Sequence, residues 1–193
     1  MLWIVLLSCS QHLRRKHIQI DERILSQFIC RYSNDERIKN NQTELLVDET
    51  LSKTSQKYAQ TLRKGTFFSH THQEIESERT PLMRVIKSGG AYATTAENLA
   101  KISILQISNH PTRLNVIDHQ KSLYSKSNGV TPLLHHTNKT AAKSTVESWM
   151  NSAVHRENLL FPSMTHIGCG ASILLSPQKV PMIIAVQVLQ SQN

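Results

Sequence analysis

The chain has 193 residues, 39% apolar and 19% charged, a balance that excludes a wholly disordered chain or one built of membrane spans and favours one domain with a real core. Lysine and arginine outnumber aspartate and glutamate 22 to 14, a net charge of +8, which suits anionic partners in general. The charge is scattered, with its densest cluster at Arg14, Arg15 and Lys16 beside His12 and His17; no basic stripe with interleaved aromatics appears, so nucleic acid is not an expected partner.

Leu2 to Leu7 is an apolar run, and Leu6-Leu7-Ser8-Cys9 within and after it resembles a bacterial lipobox, whose cysteine is lipidated and becomes the new N-terminus. The run is shorter than the ~7–15 apolar residues of a secretory segment, and no positive charge precedes it. Export to the cell envelope or beyond is the expectation, with Cys9 as a membrane anchor and residues 10–22, polar and basic, as a tether. Residues 1–22 are thereby set apart from a domain over 23–193. No other stretch approaches the ~18 apolar residues of a membrane-spanning helix.

From Ile24 the spacing of Leu25, Phe28, Ile29 and Tyr32 predicts a helix with one apolar face, broken at Asn40-Asn41. Asp48 suits the N-cap of a second helix that buries Leu51, Tyr58, Ala59 and Leu62 and ends near Gly65. Thr80 and Pro81 open a third helix, which is expected to bury Leu82, Val85 and Ile86 and to stop at Gly89-Gly90. Ala100–Ile107 reads as a strand. Residues 108–139 lack periodicity and read as one long, mobile connection. A fourth helix spans about Thr140 to Asn151, with Ala142, Val146, Trp149 and Ala153 on one face. Ile167, Cys169, Ala171, Ile173 and Leu175 alternate with Gly and Ser, which predicts a strand with one buried face. Met182 to Leu189 is apolar on both faces and suits a central strand. Ser176–Val180, with Pro177, makes the turn between them. Helices packed on a small, mainly antiparallel sheet place the chain in the α+β class.

Cys9, Cys30 and Cys169 form no CxxC pair, so a cysteine zinc site is not expected. Cys30 and Cys169 are read as buried free thiols; a single disulfide between them is the alternative if Cys9 has a separate fate.

Three segments then carry a family resemblance. Phe67-Phe68-Ser69-His70 follows a helix containing Tyr58-Ala59-Gln60-Thr61-Leu62. Ala96-Glu97-Asn98-Leu99-Ala100 comes second. Ser148-Trp149-Met150-Asn151-Ser152-Ala153-Val154-His155-Arg156-Glu157-Asn158-Leu159-Leu160 comes third, followed by Ile167-Gly168-Cys169-Gly170. In this order they resemble the CAP superfamily (cysteine-rich secretory protein, antigen 5 and pathogenesis-related 1; SCP-type domains) in its bacterial single-domain form. The similarity covers about residues 25–193, and Asn34 and Arg37 on the first helix fit the family's opening. The resemblance implies a three-layer α-β-α sandwich. It also implies that the two histidines face one cleft and bind a divalent metal in some members. Three departures stand out: Ala96 replaces the usual Gly, Ala153-Val154 replace Pro-Gly, and Ser152 replaces an acid found in many relatives. His70, Glu97 and His155 remain of the family's two-His, two-Glu tetrad.

These three residues are the candidate metal ligands, for zinc or a similar ion, because His₂Glu with an open position is a known zinc arrangement. With Asn98 and Ser152 they make up the candidate ligand cleft. The competing reading is structural, with Glu97 bracing backbone groups and the Asn151–His155 loop. Asn98 is expected to fix backbone carbonyls, and Trp149 to belong to the core. His135-His136, with His110 and His119 nearby, read as solvated loop histidines rather than a second metal site. Arg156 and Glu157 read as a surface pair of little energetic weight. Ser69 and Ser152 adjoin motif histidines, but no GxSxG elbow marks a serine nucleophile. The expected function is an exported or surface-tethered domain whose cleft takes a divalent cation, a small or lipidic ligand, or an envelope component. The alternatives are a metal-assisted hydrolase of peptide or envelope material and a protein-interaction module with a vestigial cleft.

Overall fold

The computed structural model describes residues 18–107, 114–126, 131–175 and 179–191. The Leu6–Cys9 lipobox, the tether and basic cluster up to residue 17, His110 and the 176–178 part of the last turn lie outside them.

The body begins earlier than the tether reading had it. Ile18 and Ile20 are buried in the core, and Asp21 caps the first helix, α1 (Glu22–Lys39), by accepting from the N–H groups of Arg23 and Ile24. Leu25 and Ile29 are its wholly buried positions. A two-residue strand, β1 (Leu46–Val47), precedes α2 (Glu49–Leu62), which Asp48 caps. After a 3₁₀ turn at Glu76–Glu78 comes α3 (Pro81–Lys87), capped by Thr80. Here the expected face is rotated. Val85 is buried, Ile86 is exposed, and Arg84 takes an inward position.

β2 spans Thr95–Ser103 rather than 100–107, so the whole second motif lies on a strand. Its start, Thr95-Ala96-Glu97-Asn98, is polar, so no apolar run marks it. The 108–139 stretch is not one unpatterned connection either. It contains a hairpin, β3 (Leu114–Asp118) with β4 (Leu123–Lys126), and the first turn of α4 (Asn138–Met150). Tyr124 anchors the hairpin: its ring is buried and its hydroxyl donates to the Lys179 carbonyl. α4 stops at Met150, and a separate helix, α5 (Ala153–Leu160), follows a break at Asn151-Ser152. The sequence showed no such helix because Leu159 is its one fully buried residue, too little for a repeating apolar face. Ala153 is accordingly exposed.

β5 (His166–Leu174) and β6 (Met182–Gln190) complete a four-stranded sheet in the order β1-β5-β6-β2. β6 is central and antiparallel to both β5 and β2; β1 is parallel to β5. β5 is covered on both faces, not one. Gly168 and Gly170 are the cause. A Cβ on Gly168 would lie 2.1 Å from the Leu51 carbonyl carbon, and one on Gly170 would lie 2.2 Å from the Gln56 nitrogen. These glycines let α2 lie directly on the strand. Its other face (Ile167, Cys169, Ala171 and Ile173) joins a core with α1, α4 and α5. A second core joins α2 and Val85 of α3 to Leu99, Ile184, Val186 and Val188. The result is three layers, α-β-α, around a small and mainly antiparallel sheet. Among the described residues no helix is long and apolar enough to cross a membrane.

Cys30 of α1 and Cys169 of β5 are joined as a disulfide. This corrects the free-thiol reading. Their 139-residue separation gave no hint of contact; α1 lying across β5 brings them together.

Candidate functional site

β2 is one edge of the sheet, and the site is built across that edge. Successive strand residues point to opposite faces. Glu97 and Leu99 therefore face the α2–α3 layer, while Asn98 and Ala100 face the α1–α4–α5 layer.

The Glu97 side chain is 1% exposed. One carboxylate oxygen accepts from Arg84 Nη2 at 2.7 Å, and the other lies 2.9 Å from His70 Nδ1. A carboxylate oxygen can only accept, so the Nδ1 proton of His70 points at Glu97 and Nε2 is left for other partners. The His70 side chain is half exposed. Its segment is held from below. Tyr58 Oη donates to the Ser69 carbonyl at 2.6 Å, and Arg84 Nη2 donates to the His70 carbonyl at 3.2 Å. Arg84 lies 3.6 Å above the centre of the Tyr58 ring, a cation–π contact. It also donates to the Glu78 carbonyl. Burial pushes the Tyr58 phenol up to about 12, so it remains a donor. Beside it, hydrogen bonds from Lys57 and Lys87 hold the Glu78 carboxyl down to about 2.

On the other face a chain of amides fixes the His155 segment. Asn158 Nδ2 donates to Asn98 Oδ1 at 3.0 Å; Asn98 Nδ2 donates to Gln187 Oε1 at 3.0 Å and to the His155 carbonyl at 3.1 Å. Gln187 Nε2 then donates to Ser33 Oγ at 2.6 Å. Every one of these groups is spoken for inside the fold. Asn98 is wholly buried. Ser152 is half-buried at the N-cap of α5, where its side chain makes no cap hydrogen bond. Trp149 is wholly buried, and its Nε1 donates to the Leu99 carbonyl at 3.0 Å.

His155 is half-buried. Burial first, and then the charge His70 would carry, hold its imidazole below the ordinary 6.5. The two histidines thus come from opposite layers and sense each other over the edge of β2. Among the described residues, however, no three His, Cys, Asp or Glu side chains gather as a metal-ligand group. Both oxygens of Glu97 are engaged, so it braces His70 instead of standing open. Of the loop histidines, His135 Nε2 lies 2.8 Å from the Ser122 carbonyl, and His136 Nδ1 lies 3.1 Å from Thr140 Oγ1.

Arg84, Asn158 and Gln187 went unrecognised in the sequence. A lone arginine on a short helix reads as surface, because buried arginines occur essentially only when paired. Its pairing partner, Glu97, lies thirteen residues on, in the polar start of β2.

Comparison with known proteins agrees with this architecture. YkwD of Bacillus subtilis (strain 168) is 27% identical over 142 residues, 74% of this chain and 40% of YkwD. An extracellular protein containing a SCP domain from Bacillus anthracis superposes with a TM-score of 0.57 at 18% identity, covering 89% of this chain and 41% of that one. An outer surface protein of Borrelia burgdorferi superposes with a TM-score of 0.54 at 20% identity, covering 86% and 92%. The chain thus spans about 40% of the length of the two Bacillus proteins. The family model of the cysteine-rich secretory proteins matches residues 30–174, which takes in all three motifs with His70, Glu97 and His155, and the chain belongs to that family, CAP.

Proposed function

We propose that this is an exported CAP domain whose cleft holds a divalent cation, such as zinc, between His70 and His155. The observation that carries this reading is the Glu97–His70 contact. A buried carboxylate on Nδ1 fixes the ring's tautomer and aims Nε2 outward, the usual outer-shell arrangement behind a metal-bound histidine. His155 suits the same task, since its lowered basicity keeps the ring neutral and able to ligate near neutral pH. The donor set fits a borderline cation through two imidazoles, with Glu97 orienting rather than ligating. An ion held by two side chains keeps positions for water or for an oxygen of a bound ligand.

Export is supported by the Cys30–Cys169 disulfide, since such bonds persist in oxidising compartments. The relatives described as extracellular and outer surface proteins support it too. Lipidation at Cys9 is the finer version of this reading; acyl groups on Cys9, found by mass spectrometry of protein from native membranes, are its test.

Calorimetric titration of zinc into chelator-treated protein tests the cleft. Binding is expected at about pH 7.5 and should weaken strongly at about pH 5.5, below the ordinary histidine value. His70→Ala and His155→Ala should weaken it far more than His135→Ala or His136→Ala. Glu97→Gln should weaken it by about 10–100-fold, as outer-shell losses do. Equal binding by the parent and His70→Ala would remove the metal from this cleft.

A further inference from the structure

The opposite edge of the sheet holds a second recess. β1 pairs with β5 only at His166 and Ile167, so beyond them the outer edge of β5 has no neighbouring strand among the described residues. Edges of this kind are usually covered or blocked. Asp48 N donates to the Ile167 carbonyl. Gln56 covers Ala171 as a peptide would: its Oε1 accepts from Ala171 N at 3.1 Å and its Nε2 donates to the Ala171 carbonyl at 2.9 Å. Glu22 accepts from Ile173 N at 2.9 Å. These outward groups all belong to alternate residues, 167, 171 and 173. Cys169 is the intervening member of that series, so its N–H and C=O point the same way. Among the described residues no side chain takes them.

Above Cys169 lies a groove of about 910 Å³ between α1 and α2, lined mainly by carbon, with the Cys30–Cys169 disulfide in its floor. Two contacts bridge its walls: Ser26 Oγ lies 3.4 Å from Gln56 Oε1, and Asn34 and Leu45 exchange two hydrogen bonds. Ser26 and Asn34 lie a little over two helical turns apart, roughly 12 Å at 1.5 Å per residue. That length takes about three to four residues of extended chain. Arg23 and Arg31 line the α1 wall and form no ion pair with any described residue. The nearby carboxylates are committed elsewhere, Glu49 to Lys53 and Glu22 to the β5 edge.

We propose that this groove binds a short acidic peptide segment in extended conformation, which adds to the β5 edge by pairing its main chain with Cys169. Main-chain pairing supplies the register, the carbon-rich walls take one apolar side chain, and the two arginines select flanking carboxylates. A hydrocarbon chain with an acidic head would satisfy the arginines and the walls, but it would leave the Cys169 N–H and C=O without partners. Hence the peptide is the better occupant.

The test uses the full chain and an array of N-acetylated pentapeptides with Glu or Asp at both ends and Val, Ile, Thr or Tyr between, read by fluorescence polarisation. Decanoate serves as the amphiphile arm. Some peptides should bind, and N-methylation of the central amide should weaken them at least about tenfold, the loss of one well-made hydrogen bond. The Arg23→Glu/Arg31→Glu variant, with an unchanged melting temperature, should lose binding. The Cys169 amide resonance should shift on binding and exchange more slowly with solvent. Absence of binding by every peptide at millimolar concentration would overturn the proposal. So would indifference to N-methylation, or saturable decanoate binding in the groove with no peptide binding.

Discussion

Arg84 Nη2 and Glu97 Oε2 lie 2.7 Å apart with side chains 4% and 1% exposed, so the brace behind His70 is a buried ion pair. Such a pair is a weak source of net stability, but losing one partner strands a charge in the interior. Arg84→Met should therefore cost about 3–5 kcal/mol, seen as a large drop in the denaturant midpoint. Adding Glu97→Gln removes the stranded charge, and the double variant should be more stable than Arg84→Met alone. If the double variant loses the sum of the two single losses, the two side chains act independently and the brace is misassigned.

Much of this fold could be read from the chain. Leu25 and Ile29 announced α1, Asp48 and Thr80 announced the starts of α2 and α3, and the largely apolar run of β6 announced a central strand. What stayed hidden shares a physical cause: polar side chains that the fold buries and satisfies. Glu97 and Asn98 open a buried strand, Arg84 occupies an inward helix position, and Gln187 interrupts β6. Each looks like surface until its partner is located, and the partners lie on other elements. The two candidate histidines were legible through their motifs. That Glu97 stands behind His70 instead of beside His155 was not, because it depends on which face of β2 the side chain takes.

The Cys30–Cys169 disulfide ties α1 to β5 and closes a loop set by a separation of 139 residues. Constraint of so long a loop in the unfolded chain is worth roughly 4–5 kcal/mol on the chain-entropy account, and loss of native disulfides costs about 2–5 kcal/mol in practice. The Cys30→Ala/Cys169→Ala variant should unfold at correspondingly lower denaturant. The parent in reductant should approach it. Identical midpoints for parent and variant under oxidising conditions would show that the two sulfurs are not paired in solution.

Acid should weaken the folded state through His155. Its folded imidazole titrates below the ordinary 6.5, through burial and the charge of His70, whereas the unfolded chain takes up its proton near 6.5. Above 6.5 neither state holds the proton, and the stability associated with a neutral His155 is fully present. As pH falls from 6.5 through the lowered folded value, the unfolded state holds more protons and stability is lost. His136, lowered by burial, contributes with the same sign, so the comparison needs a background of His136→Gln. In that background, denaturant unfolding at successive pH values should show stability declining below about pH 6.5. His155→Gln should flatten that decline without steepening it anywhere in the range. An unchanged slope in His155→Gln would mean that the ring is not held neutral by the fold. The readiness of His155 to ligate a metal near neutral pH would then lose its physical basis, even if zinc were still found to bind.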